Sequence, residues 1–276
     1  MKNNNSPKTW LITGTSSGFG KVWMEYLLTK GENVIATIRK EGLLSEIEAK
    51  YPKSLQVLQL DVRDRKSCFD IVEKGLKHFG KIDVLINNAG YGQFGCIEEL
   101  SEADVKDQME TNVYGSIWMI QAVLPSMRSN LSGRIIQVSS IGGLLSFPSV
   151  GMYNSSKFAV EGICEALAQE VAHCNIKVTL IEPGGYETDF GSRSARTAEV
   201  IETYNIPREA RKKKMKPSTL GKPAATCDAI WNLAYEENPP LRLLMGIKPW
   251  TILEPEYESR MASWKENLDI SHQTHG

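Results

Sequence analysis

Short apolar runs rich in β-branched residues alternate with longer segments of helical periodicity through most of the chain. This alternation is typical of repeated β–α units that close a parallel sheet. The runs are nearly continuous in apolar residues, as in Val84, Leu85 and Ile86, which indicates strands covered by helices on both faces. The pattern predicts strands at residues 9–13, 33–38, 55–60, 82–87, 134–139 and 177–181.

The regular alternation of strand and helix patterns ends after residue 181. Residues 184–223 are rich in Gly, Ser, Arg and Lys, and this stretch is too long for an ordinary connection, so we expect a substrate flap that contains some helix. A helix near 224–236 and a strand at 241–245 follow, and a C-terminal extension occupies residues 249–276. Because no internal repeat or low-complexity linker divides residues 1–276, the sequence predicts one α/β domain. Its core is a Rossmann-type doubly wound parallel sheet of about seven strands with helices on both faces.

Composition and charge exclude several classes of protein. The chain of 276 residues is 41% hydrophobic and 24% charged, so it can bury a full core and is not intrinsically disordered. Its 32 Lys and Arg against 33 Asp and Glu leave a net charge of -1, which provides no field to attract nucleic acid or anionic lipid. The polar N-terminus lacks a secretory signal, and no segment has the roughly 20 apolar residues of a membrane span. We therefore expect a cytoplasmic protein with no nucleic-acid partner.

Cysteine and histidine spacing gives no sign of a disulfide framework or a metal site. The five Cys residues are an odd number without CxxC spacing, and the four His residues form no HExxH motif or Cys/His cluster. No metal is therefore predicted.

A glycine-rich turn follows the first predicted strand. A strand, a glycine turn and a helix N-terminus together let the backbone approach a pyrophosphate, and they direct free N–H groups and the helix dipole at it. The position at the first β–α crossover favours nucleotide binding over a simple turn. The candidate phosphate-binding residues are Gly14, Thr15, Ser16, Ser17, Gly18, Phe19 and Gly20.

Further motifs follow in a characteristic order. Asn-Asn-Ala-Gly closes the fourth strand at residues 87–90, Tyr153 comes 13 residues after Ser140, and Lys157 comes four residues later. With Thr13-Gly14 and the turn after it, these motifs resemble those of the short-chain dehydrogenase/reductase family over about two thirds of the chain. The branch that contains hydroxysteroid and retinol dehydrogenases is the most similar. The resemblance implies cofactor contacts at Asn88, Ala89, Gly90, Pro183, Gly184 and Thr188, and at Asp61 and Val62 for the adenine.

The spacing of Tyr153 and Lys157 suggests acid–base chemistry. Four positions apart on a helix, they share a face, so the ammonium of Lys157 is expected to lower the pKa of the phenol toward working pH. Ser140 is expected to hydrogen-bond the substrate oxygen, with Ser139 as the competing candidate. The resemblance implies that Lys157 also holds the nicotinamide ribose and that Asn112 positions a water. The alternative for Asn112 is a polar group that satisfies a helix bend.

Cofactor preference is predicted from the end of the second strand. An acidic residue there accepts the 2′-hydroxyl of NAD, whereas an Arg accommodates the 2′-phosphate of NADP. Ile38 occupies the expected place of the acid, and Arg39 and Lys40 follow it. NADP(H) is therefore the predicted cofactor and NAD(H) the alternative, since both cations could instead be ordinary surface residues.

The predicted substrate is a small molecule with an apolar carbonyl or alcohol. Open α/β sheets bind ligands beyond the carboxyl ends of their strands, where several apolar and aromatic residues fall. The candidate wall residues are Tyr91, Phe94, Leu144, Leu145, Tyr186 and Phe190. Small residues on the helix of Tyr153 fit either a homodimer or homotetramer contact, as the resemblance implies, or an ordinary crossing within the chain.

Two other functions are consistent with parts of this pattern. A nucleotide-sensing protein on the same fold would be expected to carry a broken catalytic set, yet Ser140, Tyr153 and Lys157 are all present. A sugar-nucleotide epimerase or dehydratase would have a longer chain, a differently spaced glycine turn and a larger C-terminal substrate domain. An oxidoreductase that transfers hydride between NADP(H) and a hydrophobic or aromatic carbonyl/alcohol pair is therefore the predicted function.

Overall fold

The apolar runs of the sequence form a parallel sheet. The computed structural model describes residues 6–191, 195–214 and 220–275. Within them the strands are β1 Thr9–Ile12, β2 Asn33–Ile38, β3 Leu55–Gln59, β4 Val84–Asn87, β5 Gly92–Phe94, β6 Gly133–Val138, β7 Ile176–Pro183, β8 Ala195–Thr197 and β9 Arg242–Met245. Seven of them form one sheet in the order β3-β2-β1-β4-β6-β7-β9, and all its neighbouring pairs are parallel. The predicted Rossmann-type sheet is confirmed.

Helices cover both faces of this sheet. They are α1 Gly18–Thr29, α2 Ser45–Lys50, α3 Arg65–Phe79, α4 Glu102–Met109, α5 Gly115–Ser129, α6 Gly151–Val171, α7 Asn205–Lys214, α8 Cys227–Leu233, α9 Lys248–Glu266 and α10 Leu268–Gln273. Successive strand residues point to opposite faces, so Leu11 packs with α3, α5 and α6, while Trp10 and Ile12 pack with α1 and α8. This double cover explains why the strands are apolar on both sides.

The strand order reverses between β1 and β4, at the middle of the sheet. Chain connections leave these two strands toward opposite edges, so the loops at their carboxyl ends separate and open a crevice. The glycine-rich turn follows β1, and the Asn-Asn-Ala-Gly segment ends β4. The topology therefore places both motifs at the same crevice.

Several predicted elements have different bounds in the structure. The predicted helix at 224–236 is divided into a 3-10 turn at Pro223–Thr226 and α8, and the sixth strand extends as β7 from Ile176 to Pro183. The fourth strand begins at Val84, because Ile82 and Asp83 precede the ladder with β1. Strand propensity is present at these ends, but tertiary pairing sets where the ladder begins.

The predicted flap contains regular structure. Its strand β8 pairs in parallel with β5 to form a second, two-stranded sheet, and α7 follows. Glu99 holds the segment that follows β8 and the helix α7, since its carboxylate accepts the N–H of Ile201 at 2.8 Å and pairs with Arg208 of α7. Residues 192–194 and 215–219 of the flap lie outside the described residues.

The C-terminal extension is helical in α9 and α10, and residue 276 lies outside the described part of the chain. No helix of the described residues is long and apolar enough to cross a membrane. Among the same residues, no three His, Cys, Asp or Glu side chains are grouped as metal ligands would be.

Candidate active site

Hydrogen bonds join the ends of β1 and β4 at the bottom of the crevice. The Thr13 hydroxyl accepts the N–H groups of Asn88 at 3.0 Å and Ala89 at 2.9 Å, and it donates to the Ile86 carbonyl at 3.4 Å. In return, the Asn88 side-chain amide donates to the carbonyls of Thr13 at 2.8 Å and Gly14 at 2.9 Å. The two motifs that flank the crevice thus hold each other in place.

The glycine turn is packed too closely to admit side chains. Gly14 has φ +72°, and a Cβ atom on Gly20 would lie 2.4 Å from the Gly14 carbonyl oxygen and 2.6 Å from the Asn88 amide nitrogen. The close approach of α1 to the turn therefore requires glycine at position 20.

The start of α1 fits an anionic group. Ser17 is the N-cap residue but its side chain makes no capping bond, and the first turn holds no acidic residue, so the leading N–H groups and the positive end of the helix dipole face the crevice. Thr188, from the loop after β7, lies beside this end, 3.7 Å from where a Gly18 Cβ would be. Both features match a phosphate-binding site.

Not every residue of the predicted phosphate turn faces the crevice. Thr15 is fully buried, and its N–H and hydroxyl both donate to the Thr37 carbonyl at 3.0 and 3.1 Å, so its side chain braces β2. Ser16 is exposed, and the Phe19 ring stacks on Trp23 with centroids 4.9 Å apart. We therefore expect Thr15 and Phe19 to support the turn rather than to contact phosphate with their side chains.

The predicted cofactor contacts at the ends of β2 and β3 lie beside one another. Arg39 and Lys40 are exposed and make no ion pair within the described residues, and the charge of Arg39 helps to lower the pKa of Asp61. The larger cause is Arg63, which binds the Asp61 carboxylate at 2.6 Å. Val62 is buried in the core cluster. Two unpaired cations and a carboxylate thus lie at the rim where an adenosine would extend.

Three of the four predicted catalytic residues, Ser140, Tyr153 and Lys157, come together at the carboxyl end of β6. Tyr153 and Lys157 lie one turn apart on α6, and the hydroxyl of Ser140, two residues beyond the end of β6, lowers the pKa of the Tyr153 phenol. The Lys157 ammonium is buried, donates to the Val138 carbonyl at 2.8 Å, and lies 5.8 Å from the centre of the Tyr153 ring. The Ser140 hydroxyl also accepts the Gly142 N–H at 3.0 Å, which fixes its orientation.

The expected lowering of the Tyr153 pKa by Lys157 is wrong for the chain as it stands. Burial raises the pKa of Tyr153 to about 12, and only the Ser140 hydrogen bond acts in the opposite direction. The Lys157 ammonium is engaged by the Val138 carbonyl at 2.8 Å and has no opposing effect on the pKa of the phenol. Burial lowers the pKa of Lys157 to about 8, opposed by the nearby charge of Glu161.

The competing serine points elsewhere. Ser139 is buried, its hydroxyl lies on the side of Glu161, and a Cβ atom on Gly143 would approach its oxygen to 2.7 Å. Ser140 is therefore the serine that contacts Tyr153.

Asn112 holds a loop of the site in place. It lies in a π-helical turn at Glu110–Tyr114. Its side-chain oxygen accepts the Tyr91 N–H at 3.1 Å, and its side-chain NH2 group donates to the Tyr91 carbonyl and to the Ser156 hydroxyl, both at 3.0 Å. A Cβ atom on Gly90 would lie 3.0 Å from the same Asn112 oxygen. Because both amide protons are engaged within the protein, the water-positioning role of Asn112 stays a prediction.

Aromatic side chains surround Tyr153 on one side. The Phe190 ring lies 5.0 Å from the Tyr153 ring, and a Cβ atom on Gly92 would come within 3.0 Å of the rings of both Phe190 and Phe94. Tyr91 is 9% exposed and its ring is covered by the Arg196 guanidinium at 4.7 Å. Phe94 and Phe190, two of the predicted substrate residues, thus lie at this wall, whereas Tyr91 packs against Arg196.

The other predicted substrate residues are placed differently. Leu144 and Leu145 are buried, 7% and 4% exposed, just after the short turn that Ser140 caps. Tyr186 contacts Phe19 edge-on at 5.0 Å and packs with the cluster around α1. Tyr186 therefore lies with the glycine turn and not against the Tyr153 ring.

Comparison with known proteins agrees with this geometry. The sequence model described as short chain dehydrogenase matches residues 8–199, which include every strand from β1 to β8. The chain belongs to the short-chain dehydrogenase family. It is an oxidoreductase enzyme, as its named relatives are.

Relatives of this short-chain dehydrogenase extend over most of its length. Oxidoreductase BOA17 of Botryotinia fuckeliana is 39% identical over 87% of this chain and 89% of its own length. The 3-ketodihydrosphingosine reductase of Bacteroides thetaiotaomicron is 39% identical over 87% and 88%, and human retinol dehydrogenase 8 is 32% identical over 90% and 85%.

Solved structures share the fold. A short-chain dehydrogenase from Streptomyces avermitilis superposes with a TM-score of 0.91 and 35% identity, covering 98% of this chain and 99% of the other. ElxO, solved with NADP bound, superposes with a TM-score of 0.75 and 28% identity over 89% of this chain and all of the other.

Sequence reasoning missed a buried charge network in this short-chain dehydrogenase. Glu161 lies one turn beyond Lys157 on α6 and pairs with Arg242 at 3.1 Å, and Arg242 also approaches Glu182 at 3.6 Å. Glu182 is 1% exposed, and burial together with the neighbouring Glu161 raises its pKa to about 8. The spacing of four residues between Lys157 and Glu161 was the available signal, whereas Glu182 and Arg242 reach the network from β7 and β9.

We expect Gly20→Ala to lower the free energy of unfolding by about 2–4 kcal/mol, because the new methyl group would collide with backbone at 2.4 Å. Gly162→Ala is the matched control, since that glycine lies exposed within α6 with open space around it, and we expect a gain of about 0.5–1 kcal/mol. Urea unfolding measures both. Equal effects would show that α1 can move away from the turn.

Replacement of Glu182 tests whether its buried carboxyl group is protonated in the folded enzyme. The pKa of Glu182 lies above its ordinary 4.5 in the folded enzyme, so the contribution of Glu182 to the free energy of unfolding falls as the pH rises from about 4.5 through about 8. Glu182→Gln does not titrate, and we expect its free energy of unfolding relative to the wild type to improve by about 1–3 kcal/mol over that range.

Thermal unfolding at both ends of the range measures this effect. Glu165→Gln is the control, because it removes a more exposed carboxylate from the same guanidinium and should change stability by about 0–1 kcal/mol at either pH. A pH-independent difference for Glu182→Gln would mean that Glu182 is ionised in the folded protein.

Proposed function

We propose that this enzyme is a one-domain oxidoreductase that transfers hydride between NADP(H) and an apolar carbonyl or alcohol. The observation that carries the proposal is the meeting of Ser140, Tyr153 and Lys157 at the carboxyl end of β6. This cluster lies at the same edge of the sheet as the glycine turn, and the Phe190 ring packs against its tyrosine. A proton donor, a cation and a nucleotide-binding crevice are the parts that this reaction needs.

The proton chemistry follows from the side chains. Tyr153 is protonated at neutral pH, because burial raises its pKa to about 12, so in the reduction of a carbonyl it can donate its proton to the substrate oxygen. Ser140, oriented by the Gly142 N–H, hydrogen-bonds the same oxygen and stabilises the charge that develops on it. In the oxidation of an alcohol the tyrosine takes the proton back.

Residues of the crevice fit a dinucleotide. When bound, the nicotinamide supplies or accepts the hydride, and the ammonium of Lys157 would hold its ribose hydroxyls. The leading N–H groups of α1 would hold the pyrophosphate, with Thr188 beside them. Asn88, Ala89 and Gly90 would form the floor beneath, and Pro183 and Gly184 would bring the loop of Thr188 over it.

Charge at the end of β2 supports NADP(H) over NAD(H). Arg39 and Lys40 are exposed without an ion pair among the described residues, so both can approach a 2′-phosphate. ElxO, which has been solved with NADP bound, shares the fold at 28% identity. The carboxylate of Asp61, held by Arg63, lies close by and would face the adenine.

A long apolar substrate is the best match to the site. Two relatives at over 30% identity are named for 3-ketodihydrosphingosine and for retinol, which are both long hydrocarbons with one reacting oxygen. The wall of Phe94 and Phe190 beside Tyr153 is suited to such a chain.

Tyr153→Phe should abolish turnover, by about 100-fold or more, because the ring stays and only the proton donor is lost. The measurement is the loss of NADPH absorbance with aliphatic ketones, aromatic aldehydes, quinones and long-chain β-keto amines. Binding of NADPH, followed by its fluorescence, should remain within a factor of about three. Tyr114→Phe, which changes an exposed ring, is the matched control. Full turnover in Tyr153→Phe would refute the catalytic assignment.

Arg39→Ala should weaken the binding of NADPH by about 10-fold or more and that of NADH by less than about 2-fold, because the guanidinium pairs only with the 2′-phosphate. Titrations at constant ionic strength measure both dissociation constants. Lys53→Ala serves as the charge-matched control. It removes an exposed cation that precedes β3, at the amino-terminal ends of the strands, whereas Arg39 lies at their carboxyl ends. Equal losses for both cofactors would show that Arg39 does not select between them.

A further inference from the structure

The C-terminal helix α9 leaves the body of the protein with an unpartnered apolar face. At its start Pro249 is buried, 3.0 Å from where a Gly184 Cβ would be, which anchors the helix beside the loop that follows β7. Beyond Pro249, most of the residues of α9 and α10 are exposed to solvent. A helix of 19 residues with this little cover is stable only with good local contacts or a partner.

Apolar side chains form one line along this helix. The line, here called the α9 stripe, consists of Trp250, Leu253, Tyr257, Met261 and Trp264, at successive spacings of three, four, four and three residues. Trp250, Met261 and Trp264 are 56%, 61% and 62% exposed. This spacing repeats after eleven residues, which is close to the natural period of a helix, so the stripe runs nearly straight along α9.

Charged residues flank the stripe in an order that suits a second copy of the same helix. One flank carries Glu254, Glu258 and Lys265, and the other carries Glu256 and Arg260. None of the five forms an ion pair within the described residues. Their acids lie toward the start of α9 and their bases toward its end.

The order of these charges selects an antiparallel arrangement. In an antiparallel pair centred near Ser259, like flanks meet, so Lys265 of each copy faces Glu254 of the other, and Arg260 faces Glu256. In a parallel pair the opposite flanks meet at the same height, which brings Glu254 against Glu256. Antiparallel pairing therefore forms four contacts between opposite charges and one between like charges, where Glu258 of the two copies meets near the centre. Parallel pairing instead offsets each Glu258–Arg260 contact with a Glu254–Glu256 contact and gives Lys265 no acid.

The area of the stripe is sufficient for a dimer contact. Two tryptophans and a tyrosine, each about half exposed, dominate it, and with Met261 and the flanking charged side chains two copies would bury on the order of 1,000 Å². This is the lower bound of a specific interface. The acids that flank the stripe make an anionic membrane surface a poorer occupant, because amphipathic helices that bind such surfaces carry basic residues there.

We propose that the α9 stripe is a self-association surface, through which two copies of this enzyme pair by antiparallel contact of their C-terminal helices. Since α9 is anchored beside Gly184, the contact also fixes the base of the helix next to the cofactor loop.

Light scattering coupled to size-exclusion chromatography of the full chain tests the proposal. Trp264→Glu should halve the number of subunits, or raise the dissociation constant of the pair about 10-fold or more, because it places a charge in the seam. Ser259→Glu adds the same charge on the opposite face of α9 and should leave the assembly unchanged. Circular dichroism and NADPH binding show that both variants fold. An unchanged subunit number in Trp264→Glu, or a monomeric wild type, overturns the proposal.

A charge exchange tests the antiparallel arrangement independently of apolar contact. Lys265→Glu should weaken the pair, since it places a carboxylate against Glu254 of the second copy, and adding Glu254→Lys should restore it. Absence of rescue refutes this register. Flotation with vesicles of neutral and anionic phospholipid provides the remaining outcome, because stripe-dependent binding of a monomer to vesicles would assign the α9 stripe to lipid and overturn self-association.

Discussion

Hydrogen bonding between Thr13 and the Asn88–Ala89 segment is the constraint on which the rest of the site depends. These bonds join two strands that leave the centre of the sheet in opposite directions, and so they hold open a crevice whose walls would otherwise be independent. The side chain of Asn88 also occupies the space beside Gly20, so the position of α1 depends on the same residue. Because β6 is the next neighbour of β4, this register also sets where Ser140 emerges.

The inner face of α6 carries ionisable groups one turn apart at Tyr153, Lys157 and Glu161. Each is buried or nearly so, and each would destabilise the core without a partner. The partners come from different strands: Ser140 follows β6, Val138 ends it, and Arg242 lies on β9. The carboxyl ends of the strands therefore supply polar partners to the inner face of α6, which explains why a phenol, an amine and a carboxyl can remain buried there.

The sequence was sufficient for much of this architecture, and the physical reasons differ from element to element. Buried parallel strands are continuous apolar runs, so their order along the chain was visible, and the motif spacings located Ser140, Tyr153 and Lys157. The pairing of β5 with β8 was invisible, because each is three residues long and they lie about 100 residues apart. The contact of Glu99 with Arg208 could not be predicted for the same reason, because the two residues lie 109 positions apart along the chain. The sequence predicts a phosphate contact for Thr15, whereas its side chain points to Thr37, because residue types alone do not determine the direction of a side chain within a turn. The helical spacing of the α9 stripe was present, but Pro249 and Pro255 interrupt the signal.

Strand order also governs how this chain assembles as it leaves the ribosome. The central strand β1 precedes the other six strands of its sheet along the chain, and its residues are completely buried in the finished protein. It finds one neighbour, β2, about twenty residues later, but the bonds that complete its other side span 75 residues. Until the segment around Asn88 has emerged, an apolar strand has one open edge, which other nascent chains can also pair with. One wall of the crevice is thus built on a strand that keeps an unpaired edge until β4 has been made, so completion of the β1–β4 contact protects both folding and function.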